Sequence, residues 1–224
     1  MNDVEPADVT DPLDGDPRLP ELFGAQWPRI REFHSMLTSE GPVRGLIGPR
    51  ETSRLWERHL LNSAALAPLL GGGDSVIDLG SGAGLPGVVL AAMDPSREVT
   101  LLEPMARRVA WLEHVVATIG LKNVHVVRAR ADEVAGRLEA VALVARAVAS
   151  LDKLYGWAAP LVTPGGTLLA LKGSKAEAEV AQAAPVARRT GWTEISITTS
   201  SLLAGVEPAT VVRARRAGGG RGVR

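Results

Sequence analysis

The segment that most constrains this chain is residues 76–87, where a short apolar run is followed by glycines at alternate positions. The run contains one acid, Asp78, and the glycines after it are Gly80, Gly82 and Gly84. Leu85 then opens a helix predicted over 85–93. A strand that passes through a glycine loop into a helix presents bare backbone N–H groups to a ligand. The segment therefore predicts a nucleotide-type cofactor site rather than only a tight turn.

The same loop is compatible with two kinds of cofactor. From Gly82 it also matches the dinucleotide pattern G-x-G-x-x-G, which Gly87 completes. A pyrophosphate would bring negative charge towards Asp78, whereas S-adenosylmethionine brings a sulfonium and an ammonium, and opposite charges attract. The pattern D-x-G-x-G-x-G is similar to motif I of class I methyltransferases. Asp78 therefore favours S-adenosylmethionine over a nicotinamide cofactor.

A second acid supports a nucleotide-like ligand. A short apolar run over 99–102 ends at Glu103, which lies 23 residues after Gly80. Folds that bind nucleotides place an acid about 20 residues past the glycines, where it accepts hydrogen bonds from the ribose hydroxyls. We expect Glu103 to have this role. Taken alone, such a residue would be interpreted as a surface acid at a strand end, but the glycine loop before it favours the ligand contact.

The composition argues against a metal-binding, a secreted and a membrane protein. The chain has no cysteine and four histidines without ligand spacing, so we expect no metal. It has no signal-peptide pattern and no long apolar run, so we expect a cytoplasmic protein that does not enter a membrane. We also expect a monomer.

The chain divides into four predicted parts. Residues 1–18 are a disordered acidic leader, since residues 1–20 hold six acids and one arginine. Residues 19–73 form a helical cap, with amphipathic helices over 20–39 and 51–70. Residues 74–215 form the cofactor-binding domain. Residues 216–224 are a disordered basic tail of a composition that suits a polyanion.

Strand and helix patterns alternate from residue 76 onward. Strands are predicted at 76–79, 99–102, 124–128, 141–145, 167–171, 194–198 and 209–213. Helices are predicted at 85–93, 105–119, 132–138, 150–160 and 174–190. Alternation of this kind predicts an α/β fold with a mostly parallel sheet, and the last two strands, joined by a loop alone, must pair as an antiparallel hairpin. A seven-stranded sheet that ends in this way is the Rossmann-like class I methyltransferase architecture.

Two further strand ends carry candidate site residues. Ala131 and Asp132 follow the third strand, where a small side chain leaves room for an adenine ring and a carboxylate can accept from its amine. Asp132 is equally suited to cap the helix that follows. Arg146 follows the fourth strand, where many methyltransferases carry an Asn/Asp-Pro-Pro-aromatic motif that is absent here. A basic residue there suits an RNA phosphate or a purine edge, and a plain salt bridge is the alternative.

With these residues in place, the chain closely resembles the bacterial RsmG family, also called glucose-inhibited division protein B. The resemblance covers about residues 45–215. It rests on five stretches, which are 56–63 (WERHLLNS), 78–87 (DLGSGAGLPG), 101–108 (LLEPMARR), 146–151 (RAVASL) and 171–173 (LKG).

The resemblance implies a 16S ribosomal RNA methyltransferase that modifies N7 of a single guanine. It implies that S-adenosylmethionine is bound at Gly80, Leu85, Ala131, Asp132 and Arg146. Arg146 is our candidate catalytic residue. Arg58, His59 and Lys172 are candidate RNA contacts, and Arg107 and Arg108 are weaker ones. The substrate could be the RNA, the small subunit or an assembly intermediate.

Three other functions are compatible with parts of the sequence. A nicotinamide oxidoreductase would be stabilised by NADH and not by S-adenosylmethionine. A methyltransferase of another RNA or of a small molecule would act without ribosomal RNA. A non-catalytic RNA-binding module would bind RNA whether or not the cofactor is present.

Overall fold

The computed structural model describes residues 11–48 and 51–218, and it contains one seven-stranded sheet. The spatial order is β3-β2-β1-β4-β5-β7-β6. The strands are β1 Val76–Leu79, β2 Val99–Leu102, β3 Val124–Val127, β4 Ala140–Arg146, β5 Val162–Lys172, β6 Trp192–Ser200 and β7 Ala209–Arg216. The pairs among β1 to β5 are parallel, and both pairs of β7 are antiparallel. The predicted Rossmann-like fold is confirmed.

Helices cover both faces of this sheet. Those after β1 are α4 Gly87–Met93, α5 Ala106–Ile119, α6 Ala131–Val134, α7 Leu151–Ala158 and α8 Ala176–Arg189. One core lies between the sheet, α4, α5 and the N-terminal helices, and the other lies between the sheet and α6 to α8. Because side chains alternate along a strand, Val76 faces the first core and Ile77 faces the second. None of the described helices is long and apolar enough to cross a bilayer.

The N-terminal region differs from its prediction. The first helix is split into α1 Arg18–Phe23 and α2 Trp27–Glu40, separated by a 3-10 turn. The helix predicted over 51–70 is a series of short pieces instead. These are a 3-10 turn Thr52–Arg54, a π-helix Trp56–Leu61, the single α-turn α3 Asn62–Ala64 and a 3-10 turn Ala67–Leu69.

Side-chain donors to the backbone account for this irregularity. The carbonyl of Arg58 accepts from the Asn62 amide at 3.2 Å and from Arg146 at 3.1 Å, and the carbonyl of His59 accepts from the Ser63 hydroxyl at 2.6 Å. Such bonds compete with the ladder of a regular helix, and π-turns occur where it is interrupted. Residues 56–64 are therefore held by bonds from two of their own side chains and by one from Arg146, which lies outside the segment.

The described part of the acidic leader, residues 11–17, is ordered against the cap rather than free. The Asp11 carboxylate accepts from the Trp56 backbone N–H at 2.8 Å, and Asp14 accepts from the Trp56 indole N–H at 2.8 Å. Trp56 in turn stacks on His34 and Trp27. Residues 1–10 and 219–224, which hold the rest of the predicted leader and most of the predicted tail, lie outside the described residues. Arg216, predicted to begin the tail, ends β7.

Smaller differences occur at element ends. The predicted helix 132–138 is the single turn α6, and β5 begins at Val162 rather than at residue 167. Within the part of the chain that the structure describes, no three His, Asp or Glu side chains converge as a metal site would require.

Candidate functional site

Two cavities adjoin at the carboxyl ends of the parallel strands. The first, here the glycine-loop cavity, has a volume of about 400 Å³ and is lined by Leu79, Gly80, Leu102, Glu103, Met105, Arg108, Ala131, Asp132, Val148 and Trp157, among others. The second, here the cap cavity, has a volume of about 740 Å³ and is lined by Glu51, Arg58, His59, Asn62, Arg146, Lys172, Glu179 and Glu207, among others. Ala147 lines both cavities, and its φ of 52° is rare for a residue with a side chain.

The glycine loop wraps closely over the end of β1. Gly80 has a φ of 70°, and a Cβ placed on it would lie 2.9 Å from a methyl carbon of Val148. Gly84 has a φ of 100°, and its Cβ would lie 2.7 Å from Val88. Neither position accepts a larger residue without movement. Gly80 lines the first cavity, whereas Gly82, Gly84 and Leu85 do not.

Asp78 lies behind the loop and does not line either cavity. Its side chain is fully buried, and one carboxylate oxygen accepts from the Gly87 backbone N–H at 3.0 Å, at the start of α4. The other oxygen, Oδ1, has no hydrogen-bond partner among the described residues. Burial raises the pKa of Asp78 to about 7, against the lowering effects of the Gly87 N–H, the Ser81 side chain and the Arg146 charge.

Glu103 ties the end of β2 to the glycine loop. It is buried, and its two oxygens accept from the backbone N–H groups of Gly82 at 3.0 Å and Met105 at 2.9 Å. An ionised carboxylate has about four acceptor positions, so two remain for a ligand. Arg108 lies 3.8 Å from the same carboxylate, and both residues line the glycine-loop cavity.

Ala131 and Asp132 also line the glycine-loop cavity. Ala131 is buried, and the Asp132 side chain is mostly exposed. The cap of α6 is provided by Glu133, which accepts from the Arg130 backbone N–H at 2.7 Å, so Asp132 is not needed for that purpose. Val148 and Trp157 add apolar side chains to the cavity lining, and sequence reasoning named neither as a site residue. Val148 lies within the 146–151 stretch, whereas no motif marks Trp157, late in α7.

Arg146, Arg58, His59 and Lys172, four residues that the sequence singles out, come together in the cap cavity. Arg146 is the last residue of β4, and its guanidinium donates to the Arg58 carbonyl at 3.1 Å and to His59 Nδ1 at 2.7 Å. Burial lowers the pKa of Arg146, while the charges of Glu51 and Asp78 act in the other direction. Arg146, which we predict to face the substrate, therefore also links the cap to the sheet through hydrogen bonds.

The contact with Arg146 fixes the state of His59. A guanidinium has no acceptor, so Nδ1 accepts and the ring proton is on Nε2. Burial, reinforced by the Arg146 charge, lowers the pKa of His59 to about 4. The side chain is 5 % exposed, and Nε2 has no hydrogen-bond partner among the described residues. Its closest carboxylate oxygen, on Glu51, is 3.7 Å away.

Arg58 and Lys172, the other two candidate RNA contacts in the cap cavity, are each paired with a carboxylate. Lys172 donates to the Ala149 carbonyl at 2.8 Å and to Glu179 at 2.8 Å. Arg58 donates to Glu207 at 2.9 Å. Arg107 is exposed on α5, away from the cap cavity.

Comparison with known proteins identifies the family. The profile of the GidB family, described as rRNA small subunit methyltransferase G, matches residues 26–202. The protein named ribosomal RNA small subunit methyltransferase G from Thermobifida fusca is 55% identical over 163 residues, which is 73% of this chain and 69% of that protein. A protein of the same name from Mycolicibacterium paratuberculosis is 44% identical and covers 97% of this chain and 94% of its own length.

Solved structures agree on the fold. The S-adenosylmethionine-dependent methyltransferase SibL matches with a TM-score of 0.60 at 19% identity, covering 84% of this chain and 65% of that protein. An O-methyltransferase from Thermotoga maritima matches with a TM-score of 0.53 at 19% identity, covering 70% and 64%. The family profile spans most of the chain, and relatives in the 39–55% identity range agree with it. The chain therefore belongs to the GidB family of rRNA small subunit methyltransferase G proteins.

Proposed function

We propose that this protein transfers a methyl group from S-adenosylmethionine to N7 of a single guanine in 16S ribosomal RNA. One observation supports this most directly. The cavity beside the glycine loop and the cavity beneath the cap adjoin at Ala147, at the tip of β4. A donor in the first cavity and a base in the second would thus be neighbours, in a chain whose family relatives are named as rRNA methyltransferases.

The glycine-loop cavity fits the cofactor. Glu103 has free acceptor capacity for ribose hydroxyls, and the wall formed by Ala131, Val148 and Trp157 suits a flat apolar ring. Asp132 is exposed at that wall and can accept from an adenine amine. One oxygen of the buried Asp78 carboxylate has no hydrogen-bond partner among the described residues, and above its pKa of about 7 this carboxylate would supply negative charge for a cationic group. The bound cofactor would supply an electrophilic methyl group.

The reaction at N7 needs little acid–base chemistry from the protein. Guanine N7 carries a free lone pair and no proton, so no general base is required. The protein's task is to hold the base in line with the methyl group, and such positioning can provide up to about 7–11 kcal/mol. The contacts of Arg146 support such a role for it, because they link the cap, through Arg58 and His59, to the end of β4.

The proposed partner is small-subunit ribosomal RNA, alone, in the subunit or in an assembly intermediate. Arg58, His59 and Lys172 face the cavity that would receive the base, and the arginine-rich end of the chain suits the RNA backbone. We propose that the enzyme acts in the cytoplasm as a monomer and uses no metal.

Mapping of N7-methylguanine in 16S RNA tests the proposal. Cells with the gene should carry one such base that cells without it lack, and the purified enzyme should restore it with labelled S-adenosylmethionine. The variant Arg146→Ala should lose most of the turnover, whereas Arg107→Ala on exposed α5 should keep it. Identical RNA from both cell types, or full turnover by Arg146→Ala, would contradict the proposal.

A further inference from the structure

One buried polar atom of the cap cavity has no hydrogen-bond partner within the part of the chain that the structure describes. His59 Nε2 is enclosed and carries a proton, and its neighbour Glu51 Oε1, at 3.7 Å, is too far for a hydrogen bond. Buried donors are nearly always satisfied, and one that is left unsatisfied destabilises the fold. The arrangement persists because Arg146 holds the other ring nitrogen at 2.7 Å. The donor is therefore held ready for an acceptor that comes from outside the chain.

An acceptor lies close to this donor in the same wall. The Glu51 carboxylate is about half exposed, and its Oε2 accepts from the Gly48 N–H at 3.1 Å. Oε1 therefore remains beside His59 Nε2 with free acceptor capacity. A neutral donor and a charged acceptor stand side by side at the cavity wall, and the exposed Glu51 side chain can adjust as a ligand enters.

From this pair, and resting on the proposed function, we infer that His59 and Glu51 together recognise the target guanine. Guanine carries an acceptor, O6, next to a donor, N1–H, whereas adenine carries a donor and an acceptor in the opposite order. His59 Nε2–H matches O6, and Glu51 Oε1 matches N1–H. Bases that act as enzyme substrates are commonly recognised through these edge atoms once they leave the stack. N7, which must accept the methyl group, stays free.

The same pair suits the charge that the reaction creates. Methylation at N7 makes the base cationic and its N1–H a stronger donor. The Glu51 carboxylate then gains attraction as the reaction proceeds, which is how preorganised groups accelerate a charge-forming step. His59 adds no opposing charge, because it donates as a neutral ring. Glu51 thus contributes to rate as well as to choice of base.

A substitution in the RNA, paired with a substitution in the protein, tests this inference. Small subunits are assembled with 16S RNA that carries either guanine or 2-aminopurine at the target position. 2-Aminopurine keeps N7 and the 2-amino group but lacks O6 and N1–H. On guanine, His59→Asn should lower kcat/KM by about 5- to 150-fold, the range for one good base contact. Asn retains an acceptor for Arg146 but loses the Nε2 donor.

The decisive measurement combines the substitutions in the protein with the substitution in the RNA. If His59 and Glu51 contact O6 and N1–H, then His59→Asn and Glu51→Gln should cause little further loss on 2-aminopurine, which the wild type already uses poorly. Inosine, which keeps O6 and N1–H, should be used by the wild type almost as well as guanine. Equal losses on guanine and 2-aminopurine would overturn the inference and assign His59 a purely structural role.

A matched control is available in the same cap. His34 is also buried, and its Nε2 has no hydrogen-bond partner in the described ranges 11–48 and 51–218, but it packs on Trp56 and does not line the cap cavity. His34→Asn should leave the preference among the three bases unchanged, which separates base recognition from a general loosening of the cap. If the wild type methylates none of the RNAs at N7, the proposed function fails. If it methylates guanine but ignores the base change, only the present inference fails.

Discussion

The buried carboxylate of Asp78 makes a prediction that can be worked out from the structure. Its pKa lies at about 7 in the folded chain against an ordinary value of 3.8. The folded state therefore holds a proton in a pH range where the unfolded chain has already lost it. The contribution of Asp78 to stability is greatest below about pH 4, falls as the pH rises towards 7 and is level above that. At about 1.4 kcal/mol for each pKa unit, the fall is about 4 kcal/mol.

His59 produces a slope of the opposite sign. Its pKa is lowered from 6.5 to about 4, so the folded state binds less proton than the unfolded chain between these values. Its contribution to stability therefore rises with pH across that range, by about 3 kcal/mol. The two effects nearly cancel in the wild type below pH 6.5, and only a comparison with a variant separates them.

Asp78→Asn provides that comparison. Asparagine does not titrate, and its carbonyl oxygen can still accept from the Gly87 N–H. Its amide places an unsatisfied donor where Oδ1 was, and this adds a destabilising contribution of about 1–3 kcal/mol that does not depend on pH. We expect the free energy of unfolding of the variant, minus that of the wild type, to increase by about 4 kcal/mol between about pH 4 and pH 8.

Urea unfolding followed by tryptophan fluorescence measures this difference across the pH range. The cofactor-binding role of Asp78 adds a second readout, since the variant should bind S-adenosylmethionine more weakly at pH 8 even where it is more stable. A difference in stability that does not change with pH would refute the assignment of a raised pKa to Asp78. Unchanged affinity for the cofactor would refute its electrostatic role.

Two further predictions concern the glycine loop and its partners. Glu103→Gln should weaken binding of S-adenosylmethionine by tenfold or more in calorimetry, because hydrogen bonds to a charged group contribute about 1.5–3 kcal/mol each. Glu98→Gln, at an acid exposed near β2, is the control and should bind normally. Gly87→Ala should lower the unfolding free energy by about 1–3 kcal/mol, since its Cβ would lie 2.6 Å from Asp78 Oδ2. Gly156→Ala, in α7 with open space around it, should be neutral or stabilising by up to about 1 kcal/mol.

The sheet could be predicted from the sequence because its signals are local. Short apolar runs bounded by glycine and charged residues gave the limits of β1 and β2 as the structure has them. The absence of a helix between the last two strands required the antiparallel hairpin. The helix predicted over 51–70 is wrong for the opposite reason. Its irregular turns depend in part on Arg146, a donor 88 residues away from the carbonyl it contacts.

The site could be predicted in part. Because the carboxyl ends of neighbouring parallel strands meet at one edge, Gly80, Glu103 and Ala131 come together as the spacing predicts. Asp78 was expected to face the cofactor, but its position in the strand turns it towards the first core and α4. No sequence signal predicts Trp157 in the cavity wall, because its place depends on how α7 packs.

The charged side chains that line the cap cavity indicate which kind of ligand it suits. A surface built for phosphates would leave its cations free, but here each candidate cation has a carboxylate nearby. Arg58 pairs with Glu207 and Lys172 with Glu179, while His59 is neutral. We therefore expect the cavity to bind a neutral base that becomes positive better than it binds an RNA backbone.

Glu179→Gln tests this interpretation of the cap cavity. The change removes the partner of Lys172 and leaves a free positive charge beside the base, so transfer to N7 should slow while binding of RNA tightens at low salt. Glu177→Gln makes the same change in net charge from an exposed position on the same helix, α8, outside the cavity. The two variants make the same change in net charge and differ only in the position of that change. Faster transfer by Glu179→Gln, or equal effects of both variants, would contradict this interpretation and mean that the cavity favours the phosphate backbone.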